Sequence, residues 1–271
     1  MITAVSADGT DIPVHDEGSG PVILMVHPGL DDGSRSKKLA ALLARRFRVL
    51  RLHRRQYRLD IKTGGVPCSV GQEAADVLAV ASAVEGPVLV YGHSSGAVVA
   101  LEALAAAPPS AFVGAVIFEP PAMIDAPLAG EDDTVLTRAR AAITAGRPRK
   151  AMRIFTRGGV GLPWWQATLM GTVAGSVPRL RKFVPCQIDD LEAIQQLGVR
   201  LDVYARVTVP TVLLGGDRSP VNLAERLDAL NRVMPHSERV VMHKRDHGAD
   251  LRSPEDVARV IETLADKVLH Q

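Results

Sequence analysis

Short, unbroken runs of apolar residues alternate along the chain with stretches whose apolar residues recur at helical spacing. The runs predict strands at 22–26, 47–52, 87–91, 113–118, 211–214 and 239–242. The helical stretches among them lie at 36–46, 70–84, 95–107, 223–233 and 254–268. Strands without polar positions are typical of a parallel sheet that helices cover on both faces. The alternating order therefore predicts the α/β fold class.

The alternation is interrupted between Pro120 and about Val207, where helical stretches occur with few strand signals. These stretches lie at 132–145, 148–156, 164–174 and 190–197. A long insertion between two strands of a compact domain commonly carries function. We therefore predict an α/β core formed by residues 1–122 and 208–271, and a helical lid or cap formed by residues 123–207.

The composition is that of an ordinary globular protein, with 46% hydrophobic residues, 23% charged residues and a net charge of +2. This charge gives no reason to expect a nucleic acid partner. No apolar run is long enough to span a bilayer, and the N-terminus lacks the features of a secretory signal. Cys68 and Cys186 fit no metal or redox spacing, which favours two free thiols over a disulfide. We expect a cytoplasmic protein without a nucleic acid or membrane partner, and a homodimer stays open.

The segment Gly92-His93-Ser94-Ser95-Gly96 matches the pattern G-x-S-x-G between a predicted strand and a predicted helix. A turn this tight holds the serine in a strained conformation and leaves room only for small flanking residues. The positive end of the helix points at the site, and the N–H of Ser95 is available to an oxyanion. The pattern predicts Ser94 as a nucleophile; the alternative is a strand–helix turn whose serine has no catalytic role.

A serine nucleophile needs a general base. His247 is the best candidate, because it follows the last predicted strand, precedes the last helix and is followed by glycine. His243 is the nearest alternative, and we interpret it as a structural histidine because it lies closer to the strand. His93 adjoins Ser94 in sequence, but its side chain should point away from the serine and pack under the turn.

The loop after the strand 22–26 is expected to supply a second oxyanion donor. It reads His27-Pro28-Gly29-Leu30. Because Pro28 has no N–H group, Gly29 is the natural donor. The alternative is a plain turn that ends the strand.

Two carboxylates could complete the site by orienting the histidine. Glu119 ends the strand 113–118, and Asp217 follows the strand 211–214. Both would lie at the carboxyl edge of the sheet, where sites of open α/β sheets collect. Burying a carboxylate at the end of an apolar strand costs free energy unless the group is paired. This favours a role for Glu119.

The order of Ser94, an acid and His247 resembles the α/β-hydrolase family over nearly the whole chain. With its run Glu119-Pro-Pro, the chain is most similar to compact bacterial hydrolases that carry Glu-Pro-Pro after the sixth strand. In the wider family the acid commonly follows strand seven, where this chain has Ser219 in the usual slot and Asp217 two positions earlier. In some relatives the acid lies at the end of strand six instead. The resemblance therefore favours Glu119, with Asp217 as the alternative acid.

Two further segments resemble lactone hydrolases of the zearalenone type. They are Ser94-Ser-Gly at the nucleophile and Gly29-Leu30 at the oxyanion loop. This resemblance implies a small hydrophobic or ring-containing ester or lactone as substrate, with Leu30 beside it. Trp164 and Trp165 in the insertion could face such a ring, or they could anchor their helix to the core.

The chain departs from the family after the strand 47–52, where relatives usually carry glycines. Here residues 51–60 hold four arginines instead: Arg51, Arg54, Arg55 and Arg58. We interpret this segment as a solvated basic loop, with recognition of a polar or anionic substrate group as the alternative. A serine nucleophile argues against dehalogenase or epoxide hydrolase chemistry, for which the family uses aspartate.

These observations predict a cofactor-independent serine hydrolase that cleaves a carboxylic ester or lactone through an acyl-enzyme intermediate, without a metal. In this mechanism the histidine accepts the serine proton and the acid holds its tautomer. The same triad could serve a C–C bond hydrolase, a thioesterase or an acyltransferase. A non-catalytic ligand-binding protein on the same fold is the alternative from another class, because a fold does not determine function.

Overall fold

A mostly parallel sheet of eight strands forms the centre of the protein in the computed structural model, which describes residues 1–61, 67–108, 110–128 and 134–269. The strands are β1 (Ile2–Val5), β2 (Asp11–Glu17), β3 (Val22–Val26), β4 (Arg48–Leu52), β5 (Val88–His93), β6 (Gly114–Phe118), β7 (Thr211–Gly216) and β8 (Ser237–Met242). Their order is β1-β2-β4-β3-β5-β6-β7-β8, in which β2 pairs antiparallel with β1 and β4 and the other pairs are parallel. The predicted α/β class is confirmed.

Helices flank the sheet and fill the connections between its parallel strands. Within the described ranges they are α1 (Lys37–Leu43), α2 (Val70–Ser82), α3 (Ser95–Ala106), α4 (Thr134–Thr144), α5 (Pro148–Gly158), α6 (Trp164–Ser176), α7 (Pro178–Arg181), α8 (Val184–Leu197), α9 (Leu201–Tyr204), α10 (Val221–Val233), α11 (Ala249–Arg252) and α12 (Pro254–Val268). No helix in these ranges has the length and apolar character needed to cross a bilayer.

The alternation of side chains along each strand divides the core between the two faces of the sheet. In β3, Ile23 and Met25 belong to the cluster that includes buried residues of α1 and α12. Val22, Leu24 and Val26 of the same strand face the larger cluster, which includes α2, α3 and α10. Burial on both faces explains why the parallel strands are continuous apolar runs.

Strands β1 and β2 were missing from the prediction, because their sequences do not form apolar runs. In β2, Ile12 and Val14 are buried, whereas the other residues of the strand are exposed or only partly covered. Antiparallel strands near the edge of a sheet commonly have one such half-exposed face. The helix predicted at 190–197 begins earlier, at Val184. The helix predicted at 132–145 is observed from Thr134 to Thr144, and residues 132 and 133 lie outside the described residues.

Six helices, α4 to α9, lie between β6 and β7 in the described part of the chain. Helix α8 packs against α2 and α3, and its Ile188, Leu191 and Ile194 join the larger core cluster. Met123 and Val199 form an isolated parallel bridge that joins the entry and exit of the insertion. The insertion therefore shares the core of the sheet, and it covers the carboxyl edge of the strands where Ser94 lies.

Candidate active site

A sharp turn between β5 and α3 holds Ser94. The serine has φ +55° and ψ −127°, a conformation that costs a non-glycine residue free energy. The flanking glycines are required by close backbone approaches. A Cβ atom at Gly92 would lie 2.7 Å from Ala97 Cα, and one at Gly96 would lie 2.6 Å from the carbonyl oxygen of Val26. The turn therefore depends on glycine at both positions and presents the serine side chain at the carboxyl edge of the sheet.

The structure brings Ser94, His247 and Glu119 together in one chain of hydrogen bonds. His247 Nε2 lies 3.1 Å from Ser94 Oγ, and His247 Nδ1 lies 2.7 Å from Glu119 Oε2. A carboxylate can only accept, so the proton of the neutral imidazole resides on Nδ1. Nε2 is then the acceptor that faces the serine hydroxyl.

Glu119 is buried at the end of β6, with φ +45° and only 1% of its surface exposed. Its second oxygen, Oε1, accepts a hydrogen bond of 2.8 Å from the N–H of Gly216. Burial alone would raise the pKa of Glu119. The hydrogen bond from His247 and its electrostatic attraction, with smaller contributions from Ser219 and Gly216, lower that pKa below its ordinary value. The carboxylate is therefore ionised at neutral pH, and Ser219 lies beside it.

Asp217 does not reach His247. Its Oδ2 lies 2.8 Å from Nδ1 of His243, at the surface of the protein. The side chain of His243 is 78% exposed. These two residues form a separate surface pair, and Glu119 is the carboxylate that contacts the histidine nearest Ser94.

His93 is buried beneath the turn and contacts His247 and Asp250 in the segment after β8. Its Nδ1 lies 3.0 Å from Asp250 Oδ2, and its Nε2 lies 3.0 Å from the carbonyl oxygen of His247. Its ring stacks on Phe118, with centroids 4.5 Å apart. Asp250 is not recognisable from the sequence, because nothing in its local pattern indicates a partner 157 residues away.

Arg54 connects the loop that carries Gly29 to the turn that carries Ser94. Its Nη1 donates to Ser95 Oγ at 2.8 Å, and its backbone N–H donates to His27 Nε2 at 3.0 Å. A side chain on Gly29 would collide with Gln187, so the loop backbone passes close to α8. The amide groups of Gly29 and Ser95 thus belong to two segments that a buried guanidinium joins.

The interpretation of residues 51–60 as a solvated basic loop is wrong for three of its four arginines. Arg51, Arg54 and Arg55 are buried. Each pairs with carboxylates in the interior or at its edge: Arg51 with Glu17, Arg54 with Glu73 and Asp190, and Arg55 with Asp8 and Asp76. Arginine suits this role because its planar fork binds carboxylates in pairs. These pairs occupy the guanidinium groups that were considered for substrate recognition.

A cavity of about 70 Å³ lies next to Ser94 and His247. Its lining is mainly apolar and comes largely from the insertion and from α10. The lining residues are Ser94, Ser95, Pro121, Leu128, Phe155, Gly159, Val160, Gln187, Leu191, Ile194, Asn222, Leu223, Arg226 and His247. The volume corresponds to roughly two water molecules of the liquid, well below the range of about 300–1,000 Å³ for drug-sized ligands.

The three residues predicted to bind substrate do not line this cavity. Trp164 and Trp165 are 67% and 54% exposed. Helix α6 turns its small residues toward α5, so its large side chains face outward. Leu30 is buried in a separate cluster with Tyr57 and Phe183. The structure does not bring these three residues to the cavity beside Ser94, and their contact with substrate stays a prediction.

Neither cysteine forms a disulfide: Cys68 and Cys186 are both free thiols. Among the residues that the structure describes, no group of three or more histidine, cysteine or acidic side chains could hold a metal ion. The polar groups that line the cavity include the hydroxyl of Ser94 and the imidazole of His247.

Comparison with known proteins agrees with this geometry. The sequence pattern of the alpha/beta hydrolase family matches residues 23–260, and the chain belongs to this family. An alpha/beta hydrolase from Sphaerobacter thermophilus DSM 20745 is similar in structure, with 26% identity, a TM-score of 0.79, and coverage of 97% of this chain and 100% of that one. No curated protein sequence matches the chain significantly.

Two further solved structures share the fold at lower identity. A thermophilic esterase from Thermogutta terrifontis, with malate bound, has 20% identity and a TM-score of 0.77, over 99% of this chain and 98% of that one. Est816, described as an N-acyl homoserine lactone degrading enzyme, has 20% identity and a TM-score of 0.71, over 96% of this chain and 99% of that one. At these identities the likeness is one of fold.

Proposed function

We propose that the protein is a serine hydrolase that cleaves a small carboxylic ester through an acyl-enzyme intermediate. The observation that carries this proposal is the chain of hydrogen bonds from Glu119 through His247 to Ser94. The protonated Nδ1 leaves Nε2 free to accept the serine proton, which is the arrangement that nucleophilic catalysis by serine requires. The strained turn places the hydroxyl at the cavity, where a carbonyl carbon can reach it.

The reaction proceeds in two acyl transfers. Ser94 Oγ attacks the ester carbonyl as its proton passes to His247 Nε2, and the N–H groups of Ser95 and Gly29 stabilise the oxyanion. The imidazolium then protonates the leaving alcohol, and the acyl group stays on Ser94. Water adds to the acyl-enzyme as His247 accepts its proton. Collapse of the second tetrahedral intermediate then releases the acid, as the imidazolium returns the proton to Ser94 Oγ. Glu119 stabilises the imidazolium in both halves of the reaction.

The cavity favours a small acyl group. Its wall is mainly aliphatic, and its volume is about 70 Å³. Arg226, whose guanidinium donates to the carbonyl oxygen of Ala122, brings a cation to this wall and suits a substrate with a polar acceptor at its far end. Small lactones are the second substrate class, because the segments around Ser94 and Gly29 resemble those of lactone hydrolases.

Covalent labelling tests the proposal directly. A fluorophosphonate probe should modify one residue of the wild-type protein, and peptide mass spectrometry should locate the probe on Ser94. The Ser94→Ala variant should take up no label and lose hydrolysis of acetate esters while keeping its thermal unfolding transition. The enzyme proposal is wrong if the wild-type protein unfolds cooperatively, takes up no label and hydrolyses neither esters nor lactones.

A further inference from the structure

Helix α6 carries an apolar surface that no other part of the described chain covers. This surface, here called the α6 face, is formed by Trp164, Trp165, Leu169, Met170, Val173 and Val177. Each of these side chains is between 41% and 67% exposed. Single exposed apolar side chains are common, but a contiguous cluster on one helix indicates an interaction site.

The packing of α6 reverses the usual amphipathic arrangement. Its small residues, Ala167, Gly171, Ala174 and Gly175, are the buried ones. They allow a close approach to α5: a Cβ atom at Gly171 would lie 2.7 Å from the carbonyl oxygen of Arg149. The large apolar residues therefore point away from the protein. Residues 158–178 contain no charged side chain, so nothing on α6 itself opposes burial of this face.

Positive charge surrounds the α6 face. Residues 134–188 contain ten basic residues and no acidic residue, although the protein as a whole has a net charge of only +2. The ten are Arg138, Arg140, Arg147, Arg149, Lys150, Arg153, Arg157, Arg179, Arg181 and Lys182. All except Arg140 are exposed. The acidic run 131–133 precedes this segment and lies outside the described residues.

The outer side of α5 is the nearest part of this basic surface. Its exposed charged residues are Arg149, Lys150, Arg153 and Arg157, and the structure shows no carboxylate partner for them within its described ranges. The backbone of α5 at Arg149 and Arg153 lies against the glycines of α6. The row of cations therefore belongs to the helix that packs directly against α6.

A groove between α4 and α5 continues the basic surface. It has a volume of about 280 Å³, and Arg138, Arg147 and Lys150 contribute to its lining. Three cations around one concave surface favour anionic groups such as phosphate esters. Lys150 and Ile154 of α5 line the groove, and Arg149 and Arg153 of the same helix adjoin α6, so one extended anionic surface could contact both.

We propose that the α6 face and the basic side of α5 dock on an anionic phospholipid bilayer. Tryptophan and aliphatic side chains beside a row of arginine and lysine are the features of helices that lie in the membrane interface. Each cation near such a surface strengthens binding, and the apolar residues add burial in the headgroup region. Docking of this kind requires no spanning helix. The expectation of no membrane partner rests on the absence of a spanning segment, and peripheral binding does not need such a segment.

The charge pattern argues against the other partners that an apolar face could have. A second copy of the chain would bring a second set of nine exposed cations against the first, and like charges oppose that contact. A nucleic acid would be attracted to the arginines, but the aliphatic residues of the α6 face offer bases no hydrogen-bonding group. An anionic lipid surface satisfies both the charge and the apolar character.

Intrinsic fluorescence can report docking without an added label, because the chain's two tryptophans both lie on the α6 face. We would titrate the whole protein with vesicles of phosphatidylcholine alone and of phosphatidylcholine with phosphatidylglycerol. The emission should shift to shorter wavelength with the anionic vesicles only, and lipids brominated on the acyl chain should quench it. High salt should reverse the shift, since it screens the attraction.

Matched variants separate the two contributions. Replacing Arg149, Arg153 and Arg157 by Gln should weaken binding to anionic vesicles by about a hundredfold, at about fivefold per cation. The control is Lys37→Gln with Lys38→Gln and Arg45→Gln, which removes three exposed cations from another surface and should leave binding within about twofold. Leu169→Asn should reduce quenching by brominated lipid, whereas Leu59→Asn, at another exposed leucine, should not.

Three results would overturn the proposal. One is an unchanged emission spectrum with anionic vesicles at low salt. Another is a blue shift that grows with protein concentration in the absence of vesicles, which would assign the α6 face to self-association. The third is quenching by a single-stranded oligonucleotide but not by brominated lipid. Each readout is independent of catalysis, so failure of docking and failure of the proposed hydrolase function are distinguishable.

Discussion

Replacing Glu119 by glutamine tests how the buried acid controls His247. Glutamine keeps the size of the side chain but has one acceptor oxygen, whereas the carboxylate uses both of its oxygens. Oε1 accepts from the N–H of Gly216 at 2.8 Å, and Oε2 accepts from His247 at 2.7 Å. The amide can satisfy only one of these two donors.

Each orientation of the glutamine side chain leaves one of the two donors without its acceptor. If its oxygen faces Gly216, its NH₂ group faces His247 and stabilises the tautomer with the proton on Nε2. That tautomer cannot accept the proton of Ser94. If the oxygen faces His247 instead, the NH₂ group opposes the N–H of Gly216, and a buried donor without a partner costs about 1–3 kcal/mol. The imidazolium also loses a carboxylate 2.7 Å away in both orientations.

We therefore expect Glu119→Gln to lower kcat for a small acetate ester by about 10³- to 10⁴-fold, which is about 4–5.5 kcal/mol of transition-state stabilisation. KM should change little, because Glu119 does not line the cavity. Asp217→Asn is the matched control, since that carboxylate pairs with the exposed His243, and it should keep kcat within about twofold of the wild-type value.

Steady-state kinetics on protein with an unchanged unfolding transition provides the measurement. The reasoning fails if Glu119→Gln keeps more than about a tenth of the wild-type kcat, a change of less than about 1.4 kcal/mol. It also fails if Asp217→Asn loses as much activity as Glu119→Gln, because Asp217 would then reach the histidine in solution. Labelling of Ser94 by a fluorophosphonate should slow in parallel with kcat, since both depend on the same proton acceptor.

Three further outcomes follow from the buried charges and the cavity. Arg54→Met should lower the free energy of unfolding by about 3–5 kcal/mol in urea denaturation, because two buried carboxylates lose their cation. The control variant, Arg232→Met at the surface, should have little effect. Burial raises the pKa of Asp250, but His93 lowers it below the ordinary 3.8, so its stabilisation is complete above about pH 4 and is lost as pH falls through the folded pKa. Asp250→Asn should therefore flatten the fall in unfolding free energy below pH 4, and an unchanged slope would contradict this. Acetate esters should be hydrolysed faster than octanoate esters, and Leu191→Ala should raise the relative rate on the longer chains; equal rates across chain lengths would show that the cavity of about 70 Å³ does not limit the substrate.

Local sequence signals were sufficient for the parallel part of the fold and for the position of the nucleophile. Continuous apolar runs predict the strands that are buried on both faces. Strand β2 has no such run, because only Ile12 and Val14 are fully covered. The tight turn at Ser94 was predictable because its glycines are required by contacts within a few residues and with β3. The acid was harder to assign, since Glu119 and Asp217 both follow strands that end at the same edge. Only the relative placement of β6, β7 and the loop after β8 decides which carboxylate faces His247.

The misjudged residues share a physical cause, which is that charge and hydrophobicity do not by themselves indicate burial. Arg54 lies in a sequence rich in cations, yet it is fully buried because Glu73 and Asp190 arrive from α2 and α8, both distant in sequence. Trp165 is apolar, yet it is exposed because Gly171 and Ala174 take the buried side of α6. In each case the helical insertion contributes to the outcome. It supplies Asp190, one of the two carboxylates that pair with the buried Arg54, and it turns its own large apolar side chains outward, where a basic surface adjoins them.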